Sequence, residues 1–226
     1  GIYFGKKGRD SSGAFDECRY SKTEIERITI KAFDLARQRK KKVTSVDKSN
    51  VLETSRLWRE TVTEVSKRYS DVKVEHLLID AMTMHMLTDS QRFDVILTEN
   101  MFGDILSDLG GGLVGGMGMA SCAEIGDNHG LFQPAHGSAP DIMGQDKANP
   151  LATILSSTLM LDYLSDKQNC KSASDGSKLI ETAIEEGFER NELRPMEFGG
   201  DMGTKSVTDK LITLLKDKDI QNKALT

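Results

Sequence analysis

Val43-Thr44-Ser45-Val46-Asp47-Lys48-Ser49-Asn50 joins a β-branched run to a polar break, and its surroundings decide the fold. β-Branched side chains suit a pleated, half-buried surface, so 43–46 predicts a short strand. Downstream, Val51, Leu52, Ser55, Trp58, Val62 and Val65 recur at helical spacing, predicting a helix over 50–68. Upstream, Ser21 and Glu24 have capping-box spacing, where each side chain satisfies the other's free backbone N–H. Ile25, Ile28, Ala32, Leu35 and Ala36 then share one helical face. Residues 72–77 and 93–97 read as two further strands. Asp80 reads as the N-cap of a helix over 81–87, and 101–109 as another helix. Strands alternating with helices predict an α/β layer architecture.

Further out, the glycines of 110–118 predict a flexible crossing between two domains, with the boundary near 115/116. Gly110-Gly111-Gly112-Leu113-Val114-Gly115 matches GxGxxG letter for letter. It follows a helix rather than a strand, however, so it is not a Rossmann phosphate turn. Beyond it, 131–137 reads as strand then loop. Asn149 reads as the cap of a helix that has Pro150 at its first position and runs to about 163. Residues 165–178 read as a polar loop, 178–190 and 204–216 as helices, and 191–203 as a loop rich in glycine and charge. Residues 165–203 carry no assignable motif.

The 226 residues are 38% hydrophobic and 29% charged, an ordinary balance for a globular chain with a real core. A net charge of −5 argues against a nucleic-acid binder. The basic cluster Arg37, Arg39, Lys40, Lys41 and Lys42 instead closes a helix, where cations oppose the dipole's negative end. No run is long and apolar enough for a membrane span. Cys18, Cys122 and Cys170 are odd in number and far apart, which signals neither a zinc ribbon nor a disulfide frame and favours a reducing compartment.

The candidate chemistry is concentrated in a few places. In Asn100-Met101-Phe102-Gly103-Asp104-Ile105-Leu106-Ser107-Asp108, the two aspartates lie four apart and share one helical face. Adjacent carboxylates repel unless a cation sits between them, and a hard divalent ion takes such oxygens; the alternative is a solvated acidic face. Asp80 is a third candidate ligand or simply a helix cap. Lys48, just past a buried strand, serves as a general base only where burial or a nearby cation favours its neutral amine; otherwise it is a surface lysine. Tyr3 is a candidate proton donor or a core tyrosine. In His136-Gly137-Ser138-Ala139-Pro140-Asp141, small residues and a tight turn expose backbone N–H groups to a flat ligand or a phosphate. A Ser–His–Asp relay from one short loop has the wrong geometry.

Five stretches, in order, resemble the β-decarboxylating dehydrogenases, the isocitrate/isopropylmalate dehydrogenase family. They are Gly1-Ile2-Tyr3-Phe4-Gly5, Val46-Asp47-Lys48-Ser49-Asn50-Val51, Asp80-Ala81-Met82, residues 100–108, and His136 through Asn149-Pro150. Within the family, IYFG, VTSVDKSNVLETSRLWRE (43–60) and DAMTMHML (80–87) look most like the isopropylmalate branch. Homoisocitrate, isocitrate and tartrate/malate enzymes are the competing branches.

The resemblance implies a two-domain α/β fold with a non-Rossmann dinucleotide site. Residues 1–115 would form most of a smaller dimerisation and substrate domain with an arm, and 116–226 the C-terminal part of the larger cofactor domain. It implies Mg²⁺ or Mn²⁺ on Asp104 and Asp108, joined by Asp80 from the other subunit of a homodimer. Lys48, also in trans, would take the substrate hydroxyl proton, Tyr3 would protonate the enol, and Asn50 would lie near nicotinamide and substrate. His136, Gly137, Ala139, Asp141, Ile142 and Asn149 would line the adenosine side of an NAD site, with Asp141 repelling the 2′-phosphate of NADP. The implied reaction is oxidative decarboxylation of 3-isopropylmalate to 2-oxoisocaproate, in leucine biosynthesis.

The implied setting is the cytoplasm, with an organelle open because a targeting segment would precede Gly1. The family's N-terminal third, which carries the arginines that grip substrate carboxylates, is not among these residues, and the resemblance implies little or no activity for this chain alone. A non-catalytic regulatory paralogue is the rival reading. Such paralogues lose metal or base residues, whereas Tyr3, Lys48, Asp80, Asp104 and Asp108 are all present here.

Overall fold

The β-branched run 43–46 lies at the centre of the first of two compact units, Gly1–Gly110 and Gly111–Thr226, in a computed structural model that describes residues 1–224. In the first unit, strand β3 (Lys42–Asp47) pairs in parallel with β4 (Lys73–Leu78) on one side and β5 (Val95–Thr98) on the other. Its residues 43–47 are all buried, as a central strand covered on both faces must be.

Period-two alternation sorts these strands' side chains between two helical layers. Val43, Val95 and Leu97 face helices α1 (Lys22–Arg37) and α2 (Glu53–Ser66), in a core with Ile25, Phe33, Trp58, Val62 and Val65. Val46 and Ile96 face α3 (Ile79–Thr88) and α4 (Asn100–Leu113), packing on Met82, Met86 and Leu106. Trp58 is held by more than burial, since its indole N–H donates to Ser45 Oγ at 3.2 Å. A hairpin of β1 (Lys7–Arg9) and β2 (Ala14–Asp16) precedes these layers, with Phe15 exposed.

In the second unit, β6 (Ser121–Ile125) and β7 (Gly130–Pro134) form an antiparallel hairpin. Its Phe132 stacks on Tyr163 of α5 (Leu151–Gln168), ring centroids 5.5 Å apart. Helix α5 packs with α6 (Lys171–Glu189) and α7 (Thr204–Ala224) around Leu151, Ala183, Ile184, Leu193, Val207 and Leu211. Among the described residues no helix is long and apolar enough to cross a membrane.

Several local expectations change. The Ser21 capping box forms as read. The glycines at 110–112 do not break the chain: α4 runs through them to Leu113, and only Gly115 and Gly116 take positive φ, at 109° and 151°. Helix propensity for glycine is poor but tolerable when a preceding amphipathic turn is already packed. The polar run 165–178 is not a loop either. Helix α5 continues to Gln168, Asn169 turns the chain in the left-handed region at φ 51°, and α6 starts at Lys171. Asp80 is not an N-cap, because α3 starts one residue earlier and Leu78 holds that position. Tyr3 lies in a turn and is 47% exposed, so it is not a core strand residue. Part of the basic cluster is paired: Arg37 with Asp71, Arg39 with Asp94, and Lys42 with Glu75.

Candidate active site

Three parallel strands bring their C-terminal ends to one edge of the sheet, the edge where open α/β sheets place their ligands. Lys48 follows the last residue of β3, Asp80 lies two residues past β4, and β5 leads into α4 with Asp104 and Asp108. Because β3 and β4 end in register, Asp47 opposite Leu78, the side chains just beyond them meet. Lys48 Nζ donates to Asp80 Oδ1 at 2.7 Å. Its Asp80 side is open to water while Lys48 is half-buried, so the pair adds little to stability and positions rather than supports. The ammonium of Lys48 holds the Asp80 carboxyl below its usual range.

Lys48 is fixed from behind by a buried acid. Asp47, 1% exposed, receives Arg59 through two hydrogen bonds, Nε to Oδ2 at 2.8 Å and Nη2 to Oδ1 at 3.1 Å. The same carboxylate accepts the Ser49 N–H at 2.8 Å, and Ser55 Oγ accepts the Lys48 N–H at 3.0 Å. The turn after β3 is thus tied to α2 on both sides of Lys48. Asn50 lies in this turn with its side chain exposed.

Helix α4 is anchored by Glu99. Its carboxylate accepts the N–H groups of Met101 and Phe102 at 3.0 and 3.1 Å, closing free donors of the first turn. Tyr20 donates its hydroxyl to the same carboxylate at 2.7 Å. Burial and then that contact push the Tyr20 phenol strongly up. Asp104 and Asp108, one turn apart and exposed, take part in no ion pair among the described residues. The Tyr3 hydroxyl donates to Asp104 Oδ2 at 3.1 Å. Desolvation first, and the Asp104 hydrogen bond second, raise the Tyr3 phenol.

Two pairs therefore form within one chain, Lys48 with Asp80 and Tyr3 with Asp104. The three aspartates do not assemble there: among the described residues, no three His, Cys, Asp or Glu side chains are grouped to hold a metal ion. Asp104 and Asp108 nevertheless suit a hard divalent cation, being two exposed carboxylates a turn apart without a protein cation between them.

The second unit carries the other candidate residues. His136 turns its Nδ1 to the neighbouring Gly137 carbonyl, 2.8 Å away. Ala139 adopts the left-handed region at φ 44°, ψ 60°, uncommon for a residue with a Cβ, and starts a 3₁₀ turn over Pro140–Ile142. Asp141 is exposed, with its carbonyl held by Gln145, and Ile142 is half-buried. Asn149 is 9% exposed and spends its oxygen on the helix, accepting the Leu151 N–H at 3.1 Å. The small exposed residues of 137–139 leave a flat ligand room for close approach.

Sequence reading missed Asp47, Arg59, Glu99 and Tyr20. Asp47 was visible in principle, since an acid ending a buried β-branched run needs a cationic partner. Tyr20 and Glu99 lie 79 residues apart, and no local pattern links them.

The chain belongs to the isocitrate/isopropylmalate dehydrogenase family, whose profile it matches over residues 1–211. It is 45% identical to a 3-isopropylmalate dehydrogenase of Desulfitobacterium hafniense over 95% of this chain and 61% of that protein. A 3-isopropylmalate dehydrogenase of Aquifex aeolicus is 46% identical over 96% of this chain and 60% of its own length. Among solved structures, an isocitrate dehydrogenase from Methylococcus capsulatus superimposes with a TM-score of 0.87 at 36% identity, covering 95% of this chain and 64% of that one. The chain thus spans about three fifths of the length of the curated relatives it matches.

Proposed function

We propose that this chain is part of an NAD-dependent, divalent-metal-assisted 3-isopropylmalate dehydrogenase acting as a homodimer. The observation that carries the reading is the Lys48–Asp80 pair at the sheet edge onto which the Asp104/Asp108 helix also opens. The identities of 45 and 46% to proteins named 3-isopropylmalate dehydrogenase favour that substrate over isocitrate.

Asp104 and Asp108 of one subunit, with Asp80 of its partner, would hold the cation, which supplies positive charge to the substrate's hydroxyl and carboxylate oxygens. His136, Gly137, Ala139, Asp141, Ile142 and Asn149 of the larger domain would hold NAD, which when bound would supply the hydride-accepting chemistry. Lys48, supplied in trans with Asp80, takes the hydroxyl proton. Asn50 would contact the nicotinamide side of the substrate site. After CO₂ leaves, Tyr3 gives a proton to carbon, and Asp104 keeps its hydroxyl oriented.

Dimerisation has a physical reason in the first unit. Asp80, Met84 and Leu87 recur at i, i+4 and i+7 of α3, so the metal-ligand candidate shares a stripe with two methionine and leucine side chains left 56% and 65% exposed. Ile105, beside Asp104 on α4, is 53% exposed. Burying such a stripe against a second copy removes apolar surface from water and carries Asp80 and Lys48 toward the other subunit's α4.

The test is NADH formation by the full-length protein with Mn²⁺ and a panel of 2-hydroxy diacids. Turnover of 3-isopropylmalate well above isocitrate, homoisocitrate and tartrate is expected. Preference for another member moves the assignment to that branch, and no turnover of any favours the regulatory paralogue.

A further inference from the structure

Glu197 lies in the stretch 191–203, to which no motif could be assigned, yet its carboxylate does two jobs at once. Oε1 accepts the N–H of Gly118 at 2.9 Å, and Oε2 accepts Nδ2 of Asn149 at 2.9 Å. Asn149 is buried and its Oδ1 is already committed to the Leu151 N–H. The amide is therefore locked: a flip would set Nδ2 against the Leu151 N–H and Oδ1 against a carboxylate. The glycines opposite are required by the same contact. A Cβ on Gly116 would fall 2.2 Å from Glu197 Oε1, and one on Gly118 would fall 2.1 Å from Oε2 and 2.6 Å from Asn149 Cβ. The glycines at 116 and 118 thus leave room for a carboxylate, while a Cβ on Gly115 would meet the Phe198 ring at 2.8 Å.

We infer that Glu197 is a positioning residue that fixes the Asn149 side-chain amide, and with it the end of the cofactor loop, for the adenosine half of the dinucleotide. This rests on the proposed NAD site for the role of Asn149, though not for the coupling itself. A carboxylate is required because it presents two acceptors. Glutamine has one acceptor and one donor, so it satisfies Gly118 or Asn149 but not both.

The test is a swap cycle in the full-length protein. In Glu197→Gln, hydrogen exchange should accelerate roughly tenfold or more at whichever of the Gly118 amide and the Asn149 side chain loses its acceptor, the cost of an unmet buried donor. Asn149→Asp alone should do similar damage by opposing two carboxylates. The double variant restores complementarity, with glutamine Nε2 donating to the aspartate, so Gly118 protection should return to within about threefold of wild type. Simple additivity of the two single changes would overturn the coupling. NAD affinity, measured by titration, should fall about tenfold in Glu197→Gln with the unfolding midpoint little changed, and should stay weak in the double variant, whose Asn149 amide is gone. If Asn149→Ala leaves NAD affinity intact while the cycle shows coupling, the cofactor reading of Asn149 fails and the carboxylate lock stands. If Glu197→Gln leaves affinity intact while Asn149→Ala lowers it, Glu197 has no positioning role.

Discussion

Lys48 and Asp80 meet at 2.7 Å because β3 and β4 are parallel neighbours that end in register. The contact joins the proposed base to a proposed metal ligand, so the two move as one group. Lys48→Met should lower kcat by about 10²–10⁴-fold, the usual worth of a positioned base. The thermal midpoint should change little, because Asp80 stays solvated without its partner. Steady-state NADH formation and a melting curve check both halves, and a near-normal rate would remove Lys48 from the mechanism.

Arg59 has a different kind of importance. It compensates Asp47, which is buried at the end of β3. Arg59→Met leaves that charge without its cation and should cost about 3–5 kcal/mol of stability. Asp47→Asn combined with Arg59→Met should recover part of the loss. Denaturant midpoints of the three proteins give the comparison, and equal midpoints for wild type and Arg59→Met would contradict it.

Acid should loosen the first unit through His76. Burial, and then the Arg59 guanidinium, depress this imidazole below its ordinary 6.5, while Asp47 pulls weakly the other way. Its Nε2 meets Thr63 Oγ1 at 3.1 Å, and its Nδ1 is buried without a partner. A base whose folded value is depressed stabilises the fold above its unfolded value and loses that contribution as pH falls through the folded one. Wild type should therefore lose stability as pH falls below about 6.5, and His76→Gln should lose less over the same range. Parallel curves for the two proteins would count against it.

Asp141 should set cofactor choice. Asp141→Lys replaces a carboxylate that repels a 2′-phosphate with a cation that attracts one, so the NAD-to-NADP ratio of kcat/KM should fall by at least about tenfold. An unchanged ratio would take Asp141 off the ribose.

The layer order of the first unit was legible because its signals are local and periodic: β-branched 43–46, the Ser21–Glu24 box, and helical stripes around Ile25 and Trp58. The ends of elements were less so. Tertiary packing of Leu106 on Met82 and Met86 carries α4 through three glycines that local propensity reads as a break. Likewise α5 and α6 run through polar residues because their apolar faces close on Leu151, Ala183 and Ile184. The catalytic candidates were legible as motif residues. Their supports, Arg59 under Asp47, Tyr20 on Glu99 and Glu197 on Asn149, were not, since each joins residues whose proximity exists only after folding.

The central claim is that each site is shared, with Lys48 and Asp80 from one subunit and Tyr3, Asp104 and Asp108 from the other. Co-expression of full-length Lys48→Met and Asp104→Asn subunits tests it directly, since each variant alone should be inactive. Random pairing makes half the dimers mixed, and each mixed dimer then has one intact site, so the pool should recover about one quarter of wild-type activity. No recovery in a pool shown to contain mixed dimers would place all five groups in one chain and contradict the account.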